Sequence, residues 1–356
     1  MTVVFDSSFS SGPALFAGAL YRAAGTAIVA AFLEAATPWG IDNITVPLGS
    51  ALYFHFVSQS PLNAAVVIGF TLSAAVAYLS WQRRAVTTEG ALAGLGLGTL
   101  IFTLGGIGGL TVLFGFFASS TILGRFKKHK REALKLQDVV VKGDRRDSIQ
   151  VLANCGVGVL SAIGFAATGQ VFFFFAFGVS FAAATADTWA SEIGVLNPKP
   201  PVSILGGKTV EPGVSGGVSL LGFFSSLMGA LFIAALLWAE RIFFQLGFTD
   251  FAPLAAGLGR VWEGKSNASW NIAAYLGLIT AGGFLGSVID SLLGATLQAQ
   301  YRCSLTGRRT ERPSTSGTPN VLVRGLRWMT NDMVNFLAIL FASAASGACF
   351  VVFGNL

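Results

Sequence analysis

The sequence has few charged residues, few histidines and few cysteines, and each shortage excludes a class of protein. Only 11% of the 356 residues are charged while 53% are hydrophobic, which is too apolar a composition for one soluble core. His55 and His129 are the only histidines, so neither a histidine-based catalytic triad nor a zinc site is expected. Cys155, Cys303 and Cys349 show no paired spacing, which argues against a disulfide framework. The chain is therefore expected to lie in a membrane.

Long apolar runs are what the chain has instead. A bilayer-spanning helix needs about 20 mostly apolar residues. Eight runs meet this rule, at 62–80, 89–104, 106–122, 150–167, 170–190, 217–238, 272–297 and 334–353. A ninth run, 13–35, contains Arg22 and Glu34 and is either a span or an interfacial helix. The predicted fold class is all-α, a polytopic helical membrane protein with about eight to nine transmembrane helices.

Basic residues gather in alternate connections between these runs. Segments 81–88, 123–149, 190–216 and 298–333 hold 2, 9, 2 and 6 Lys or Arg, whereas 36–61 holds none and 239–271 holds three. The positive-inside rule places the four basic segments in the cytosol. The net charge of +6 is thus interpreted as membrane orientation, and nucleic acid is not an expected partner.

The chain shows no boundary between soluble domains, because its polar stretches are too short to fold alone. We expect an N-terminal segment, 1–60, with the uncertain first helix, followed by one polytopic membrane domain, 61–356. The segments beginning at Gly115, Gly222 and Gly286 resemble one another, which leaves internal repeats open against ordinary small-residue packing. Residues 1–11 lack Lys and Arg, so a plastid is less expected than the endoplasmic reticulum, which two outer-side glycosylation sequons favour.

Acidic residues inside apolar runs are costly and therefore mark candidate functional positions. Asp187 lies near a cytosolic helix end, where helical spacing stacks it above Ser191 and Thr188 above Glu192. In a second run, one polar stripe is formed by Ser287, Asp290, Ser291, Gly294 and Gln298. The alternative is that these groups only hydrogen-bond between helices. Oxygen-only ligand sets of this kind suit Mg²⁺, which binds one or two carboxylates plus substrate phosphates.

A glycine-rich segment leads into the run at 217–238. Gly213, Gly216 and Gly217 could offer backbone N–H groups to an anion, or simply form a loop. A Walker A motif is rejected because position 202 is Val where that motif needs Gly. Further polar and basic residues near cytosolic helix ends are candidates for phosphate binding: Asn154, Asn335, Lys127 and Lys128, with Arg145 and Arg146 as rivals to the lysines. The alternative is that the asparagines cap helices and that the basic residues set the membrane topology.

Three motifs resemble one membrane family. They are Ala186-Asp-Thr-Trp-Ala-Ser-Glu-Ile-Gly194, Gly216-Gly-Val-Ser-Leu-Leu-Gly222 and Asp290-Ser-Leu-Leu-Gly-Ala-Thr-Leu-Gln298. On these residues, and on a likeness from about residue 62 to the C-terminus, the chain resembles the transmembrane protein nineteen family, formerly domain of unknown function ninety-two. That family includes the plant phytyl-phosphate kinase of vitamin E biosynthesis.

The resemblance implies a membrane kinase that converts a prenyl monophosphate, such as phytyl phosphate, to its diphosphate with a nucleoside triphosphate, CTP being the donor suggested by the plant relative. Asp187, Glu192 and Asp290 would hold Mg²⁺ and the donor phosphates, and the isoprenoid tail would lie in the lipid. The competing hypothesis is a transporter or lipid-handling protein that uses Asp187 and Asp290 for ion coupling.

Overall fold

A computed structural model of the chain describes residues 42–58, 64–133, 145–211, 214–245, 272–307 and 309–353, with scattered positions between 23 and 34. The run predicted at 13–35 lies mostly outside the described residues, as does Gly213. The division of the chain at residue 60 stays a prediction.

Helices make up most of the described chain. Their bounds are α1 (Asp42–Ser58), α2 (Ala64–Gln82), α3 (Thr88–Ala133), α4 (Ser148–Thr168), α5 (Val171–Gly194), α6 (Leu220–Gln245), α7 (Ile272–Thr296) and α8 (Asn331–Phe353). Within the described residues, six segments are long and apolar enough to cross a membrane: Thr88–Gly106, Ser148–Thr168, Val171–Gly194, Leu220–Ala239, Ala274–Thr296 and Asn331–Val351. The all-α polytopic class is confirmed, whereas the count of eight to nine spans is not.

Helix α3 doubles back on itself at Gly106. This residue has φ 63° and ψ −158°, a conformation that glycine adopts without a steric penalty. The two arms then run side by side. Arg125, near the end of the second arm, donates a hydrogen bond to the backbone oxygen of Arg83 (3.4 Å), and Arg83 lies just before the start of the first arm. The arms correspond to the separate runs predicted at 89–104 and 106–122.

Helix α5 forms the centre of the bundle. Every residue from Phe174 to Ala186 is buried, and the helix packs against α3, α4, α6, α7 and α8. A helix that is apolar all round in this way is surrounded by other helices. Its second half carries Asp187 and Glu192 toward the edge of this core.

The connections at one end of the bundle carry short β-structure that the sequence analysis did not predict. A two-stranded sheet pairs β1 (Val202–Ser203) with β2 (Gly217–Val218). The segment after α7 contains β3 (Gln300–Arg302), β4 (Arg309–Thr310), β5 (Ser314–Thr315), β6 (Thr318–Pro319) and β7 (Val321–Arg324). Strand β3 pairs with β4 and β7, and β5 pairs with β6.

The segment 36–61, treated in the sequence analysis as a connection between predicted runs, contains a helix, since its residues 42–58 form α1. The prediction missed this helix because it has only 17 residues and contains Pro47, features that fall short of the rule for a span. Helix α1 shows large apolar side chains at its surface, including Ile44, Leu48 and Phe54.

Candidate functional site

Small residues bring α5 and α7 together just before their aspartates. A β-carbon at Gly283 would come within 2.6 Å of Ala182 Cβ, and one at Gly286 would overlap Ala183 Cβ. Such small-residue contacts allow helix backbones in membranes to approach closely. Asp187 follows Ala183 by four residues and Asp290 follows Gly286 by four. Because one helical turn takes 3.6 residues, both carboxylates emerge one turn beyond the contact.

The two carboxyl groups meet as this register requires. Asp187 and Asp290 lie in side-chain hydrogen-bonding contact, and both residues are partly accessible. Two ionised carboxylates at that separation repel each other unless a proton or a cation lies between them. The prediction from sequence named both residues, and the structure brings them together.

Other polar groups surround the pair. With its amide oriented to satisfy its neighbours, Asn335 of α8 donates to Asp290 Oδ1 (2.9 Å) and to the backbone oxygen of Asn331 (3.0 Å). Glu192 interacts electrostatically with Asp187, and Glu311 of the α7–α8 connection interacts with Asp290. The site therefore holds excess negative charge, with one amide fixing the orientation of Asp290.

The pair lies inside the helices and not at their ends. Asp187 precedes the last residue of α5 by seven positions and Asp290 precedes that of α7 by six, which corresponds to about 9–10 Å along each axis. Both residues are in the half of the bundle that also contains the connections 81–88, 145–149, 190–216 and 298–330. We call this half the basic end.

The donor set fits Mg²⁺ in the way that phosphate-handling proteins use it. Among the described residues, no group of three or more His, Cys, Asp or Glu side chains is arranged to hold a metal on its own. Mg²⁺ usually takes one or two carboxylates and completes its octahedron with water and substrate phosphates. Asp187 and Asp290 would supply those two carboxylates, and Glu192, also predicted as a ligand, interacts with Asp187 without completing a three-ligand cage.

The predicted hydroxyl groups divide into two sets. Thr188 Oγ1 donates to Ala184 O (2.8 Å) and Ser191 Oγ to Thr188 O (3.0 Å), so both protons are used within α5. Ser287 is buried and Ser291 partly buried on the Asp290 face of α7. These serines remain the better placed candidates for contact with a ligand in the bundle.

The glycine-rich segment acts mainly in packing. Gly216 has φ 81°, and a β-carbon there would overlap Ala295 of α7. The N–H of Gly217 donates to Val214 O (3.0 Å), so it is not open to an anion. This corrects the candidate anion nest at Gly217, whose N–H is already used, whereas Gly216 lets the residues before β2 lie directly on the end of α7, and its assignment to phosphate binding stays a prediction.

Sequence reasoning missed two residues that organise this end. Glu311 Oε1 accepts hydrogen bonds from Gln298 Nε2 (2.8 Å) and Ser215 Oγ (2.8 Å), which joins the two connections. Arg324 Nη2 donates to Gly294 O (2.9 Å) and so satisfies a carbonyl in the last turn of α7. Gln298, predicted to bind phosphate, is committed to Glu311. Glu311 follows β4 and Arg324 is the last residue of β7, in a segment without a motif, so no sequence signal singled them out.

Asn154, Lys127 and Lys128 are the remaining predicted residues. Asn154 donates through Nδ2 to Gln150 O (2.8 Å) and faces a groove between α2, α3 and α4. Lys127 and Lys128 belong to the last part of α3, where only the helical backbone is described. Their assignment to phosphate binding stays a prediction.

Arg146 is a basic side chain that the structure places beside Glu192. Its guanidinium lies 5.7 Å from the ring centroid of Phe116 and 5.5 Å from that of Phe117, and it interacts electrostatically with Glu192. Burial of this guanidinium lowers the pKa of Arg146, which the neighbouring Cys155 and Glu192 oppose. An arginine retains its charge under such conditions, so a fixed cation lies beside the acidic site.

These features define a class: a polytopic helical membrane protein with a pair of carboxylates inside one half of its bundle. The chain belongs to the family described as integral membrane protein DUF92, whose profile matches residues 71–343. This confirms the resemblance drawn from the motifs.

Two relatives illustrate the extent of the similarity. Protein PGR of Arabidopsis thaliana is 28% identical over 293 residues, covering 78% of this chain and 93% of that protein. An uncharacterized membrane protein of Methanocaldococcus jannaschii is 27% identical over 217 residues, covering 61% of this chain and 76% of that protein. No solved structure matches the chain.

Proposed function

We propose that the chain is a membrane kinase that converts a prenyl monophosphate, of the phytyl type, to its diphosphate with a nucleoside triphosphate. CTP is the donor that the family resemblance suggests. The observation that carries the proposal is the contact between Asp187 and Asp290, because a pair of carboxylates that a cation between them would stabilise suits a magnesium–nucleotide complex.

In this reaction the protein itself forms no covalent bond with the substrates. A phosphate oxygen of the prenyl monophosphate attacks the γ-phosphorus of the triphosphate. A new P–O bond forms while the bond to the β–γ bridging oxygen breaks, and the nucleoside diphosphate leaves with that electron pair. A phosphate monoester has its second pKa near 6, so at neutral pH the attacking oxygen already lacks a proton. No catalytic histidine is needed, in agreement with a chain that has only His55 and His129.

The side chains would act by position and charge. Bound Mg²⁺ would neutralise the donor phosphates. Asp187 and Asp290 would hold the metal from α5 and α7, and Asn335 would keep Asp290 oriented through its hydrogen bond. Arg146 would face the negative charge of the acceptor phosphate. Phosphoryl transfer depends chiefly on such positioning and electrostatic stabilisation.

Turnover by the purified chain tests the proposal. The full-length protein in detergent would be incubated with phytyl, geranylgeranyl or farnesyl monophosphate, Mg²⁺ and each nucleoside triphosphate. We expect a prenyl diphosphate product, and a loss of about a hundredfold or more in Asp187→Asn and Asp290→Asn. Glu211→Gln, which neutralises an exposed carboxylate at the same end, is the matched control. A folded wild-type protein without turnover on any combination would refute the kinase.

An ion-coupled transporter is the second candidate, and the depth of the acidic pair favours it. The midpoint of Val171–Gly194 lies between residues 182 and 183, so Asp187 is only about 7 Å from the middle of its span. Transporters place coupling ions near that level. A pH or sodium gradient that drives substrate uptake into vesicles, together with absent kinase turnover, would establish this alternative.

The compartment also belongs to the proposal. The sequons at Asn43 and Asn267 favour the endoplasmic reticulum over a plastid. Fluorescence microscopy of the tagged chain with markers for both compartments checks this.

A further inference from the structure

A groove runs between α2, α3 and α4, beside the acidic site. The groove leaves empty space between these helices, and part of that space is open to the surroundings of the bundle. Its walls are almost wholly apolar, with side chains such as Val76, Leu113 and Phe114. The polar exceptions with long side chains are Gln150, Asn154 and Arg146, all contributed by α4 and the residues just before it. The groove is therefore an apolar channel with a cation at one end.

Three glycines on one stripe of α3 form the floor of the groove: Gly90, Gly94 and Gly98. Two of them are required by packing, since a β-carbon at Gly90 would overlap Arg146 O and one at Gly98 would lie 2.5 Å from Ser73 Oγ. Gly94 differs, because a β-carbon there would meet nothing within 4 Å. The space above Gly94 is thus unfilled by the protein.

Arg146 is fixed at the end of this space. Its backbone N–H donates to Ala85 O (3.1 Å), and its backbone oxygen accepts from Thr87 N (2.9 Å), so the loop before α4 is tied to the start of α3. Within the described residues, its buried Nη1 atom has no hydrogen-bond partner. A buried guanidinium N–H without a partner is costly, and a phosphate oxygen is the acceptor that a guanidinium fits best.

We propose that this groove holds the hydrocarbon tail of a prenyl monophosphate, with its phosphate bound by Arg146. The inference rests on the proposed function and assigns the acceptor site within it. Charge decides the occupant: an apolar channel ending in one fixed cation complements a single apolar chain ending in one anion. Glu192 interacts with both Arg146 and Asp187, so a phosphate at Arg146 lies next to the acidic pair.

Equilibrium binding of geranylgeranyl monophosphate tests this site without relying on turnover. The full-length protein in detergent, without nucleotide, would be titrated and the complex counted by native mass spectrometry. In Gly94→Leu the added side chain enters open space, so we expect the protein to fold normally and to bind the ligand at least about tenfold more weakly. Gly277→Leu on α7, where a β-carbon also meets nothing within 4 Å, is the matched control and should bind as the wild type does.

The role of Arg146 is tested by comparing ligands with and without a phosphate head group. Arg146→Gln should weaken binding of the monophosphate about tenfold, the scale of a lost hydrogen bond to a charged group, and leave binding of geranylgeraniol unchanged. Arg146→Lys keeps the charge and should recover part of the affinity, which separates head-group binding from a folding defect. The proposal is overturned if Gly94→Leu binds the monophosphate as tightly as the wild type does, or if a diacyl phospholipid competes with equal affinity.

The two proposals can fail separately. Weakened binding in Gly94→Leu and Arg146→Gln without any turnover by the wild type would retain the groove and remove the kinase. Turnover with an unchanged KM for geranylgeranyl monophosphate in both variants would retain the kinase and remove the groove.

Discussion

Gly286→Ala should separate the acidic pair while leaving every polar residue in place. A β-carbon at Gly286 would overlap Ala183 Cβ and lie 3.3 Å from Ala342 Cβ, whereas carbon atoms pack at about 3.5–4.0 Å. Helices α5 and α7 must therefore move apart by about 1 Å, at a cost of roughly 1–3 kcal/mol for an overpacked core. A displacement of about 1 Å at a catalytic group can cost on the order of a hundredfold in rate.

Gly277→Ala provides the matched control for this change. It lies on the same helix, and its β-carbon would meet nothing within 4 Å. Because alanine favours a helix over glycine by about 0.5–1 kcal/mol, the control should be as stable as the wild type or slightly more so. Both variants would be purified in detergent and compared by thermal unfolding and by prenyl-phosphate turnover.

The role of Gly286 is refuted if Gly286→Ala unfolds at the same temperature as Gly277→Ala and turns over normally. Such a result would mean that the contact between α5 and α7 is loose and that small residues do not set the distance between the aspartates. Lower stability with normal turnover would retain the packing and refute its role in positioning the pair.

Three further changes test other contacts. In a chain whose native cysteines are replaced by serine, cysteines introduced at positions 187 and 290 should be joined by a short thiol cross-linker. Cysteines at positions 188 and 290, the control pair, should react far more slowly. Equal mobility shifts of the two variants on gels would contradict the contact between Asp187 and Asp290. Asn335→Ala removes the donor to Asp290 and should lower turnover about tenfold, the scale of one lost hydrogen bond to a charged group. Asn335→Asp, which adds a further carboxylate, should lower it more. Gly216→Ala combines strain at φ 81° with overlap on Ala295 and should destabilise the chain by about 1–3 kcal/mol. The loss should be smaller in Gly207→Ala, because Gly207 has φ 62° but open surroundings. Equal unfolding temperatures of the two variants would exclude the packing role of Gly216.

The sequence predicted the membrane class and the two aspartates because both depend on local rules. The length of an apolar run identifies a membrane helix. A carboxylate within such a run has a high energetic cost, which marks it as a candidate functional residue. Their contact also had a sequence basis, since Gly286 precedes Asp290 by one turn as Ala183 precedes Asp187. What the sequence could not give was the pairing of α5 with α7, because small residues occur in many of the runs.

The loops were less predictable because their structure depends on long-range partners. Glu311 matters only through Gln298 and Ser215, and Ser215 lies 96 positions away in the chain. Gly217 was expected to present its N–H to an anion, yet that group is used by Val214 three residues before it. A glycine-rich segment predicts freedom of the backbone, and only the folded contacts decide whether that freedom serves a ligand or close packing.

The far half of the bundle bears on the choice between a kinase and a transporter. A transporter must open its ion site to both sides in turn, whereas a kinase needs access from one side only. Beyond the acidic pair, away from the basic end, α5 contributes the fully buried side chains of Phe174, Phe175, Phe177 and Phe181. The Phe175 ring stacks on Phe350 with centroids 4.1 Å apart, and the Phe174 ring stacks on Tyr275 at 6.2 Å. These aromatic contacts join α5 to both α7 and α8, and opening a path through them would break contacts worth about 0.5–1.5 kcal/mol each beyond their buried area. Aromatic packing thus fills the bundle on one side of the pair and polar connections lie on the other, an arrangement that favours access to the pair from one side.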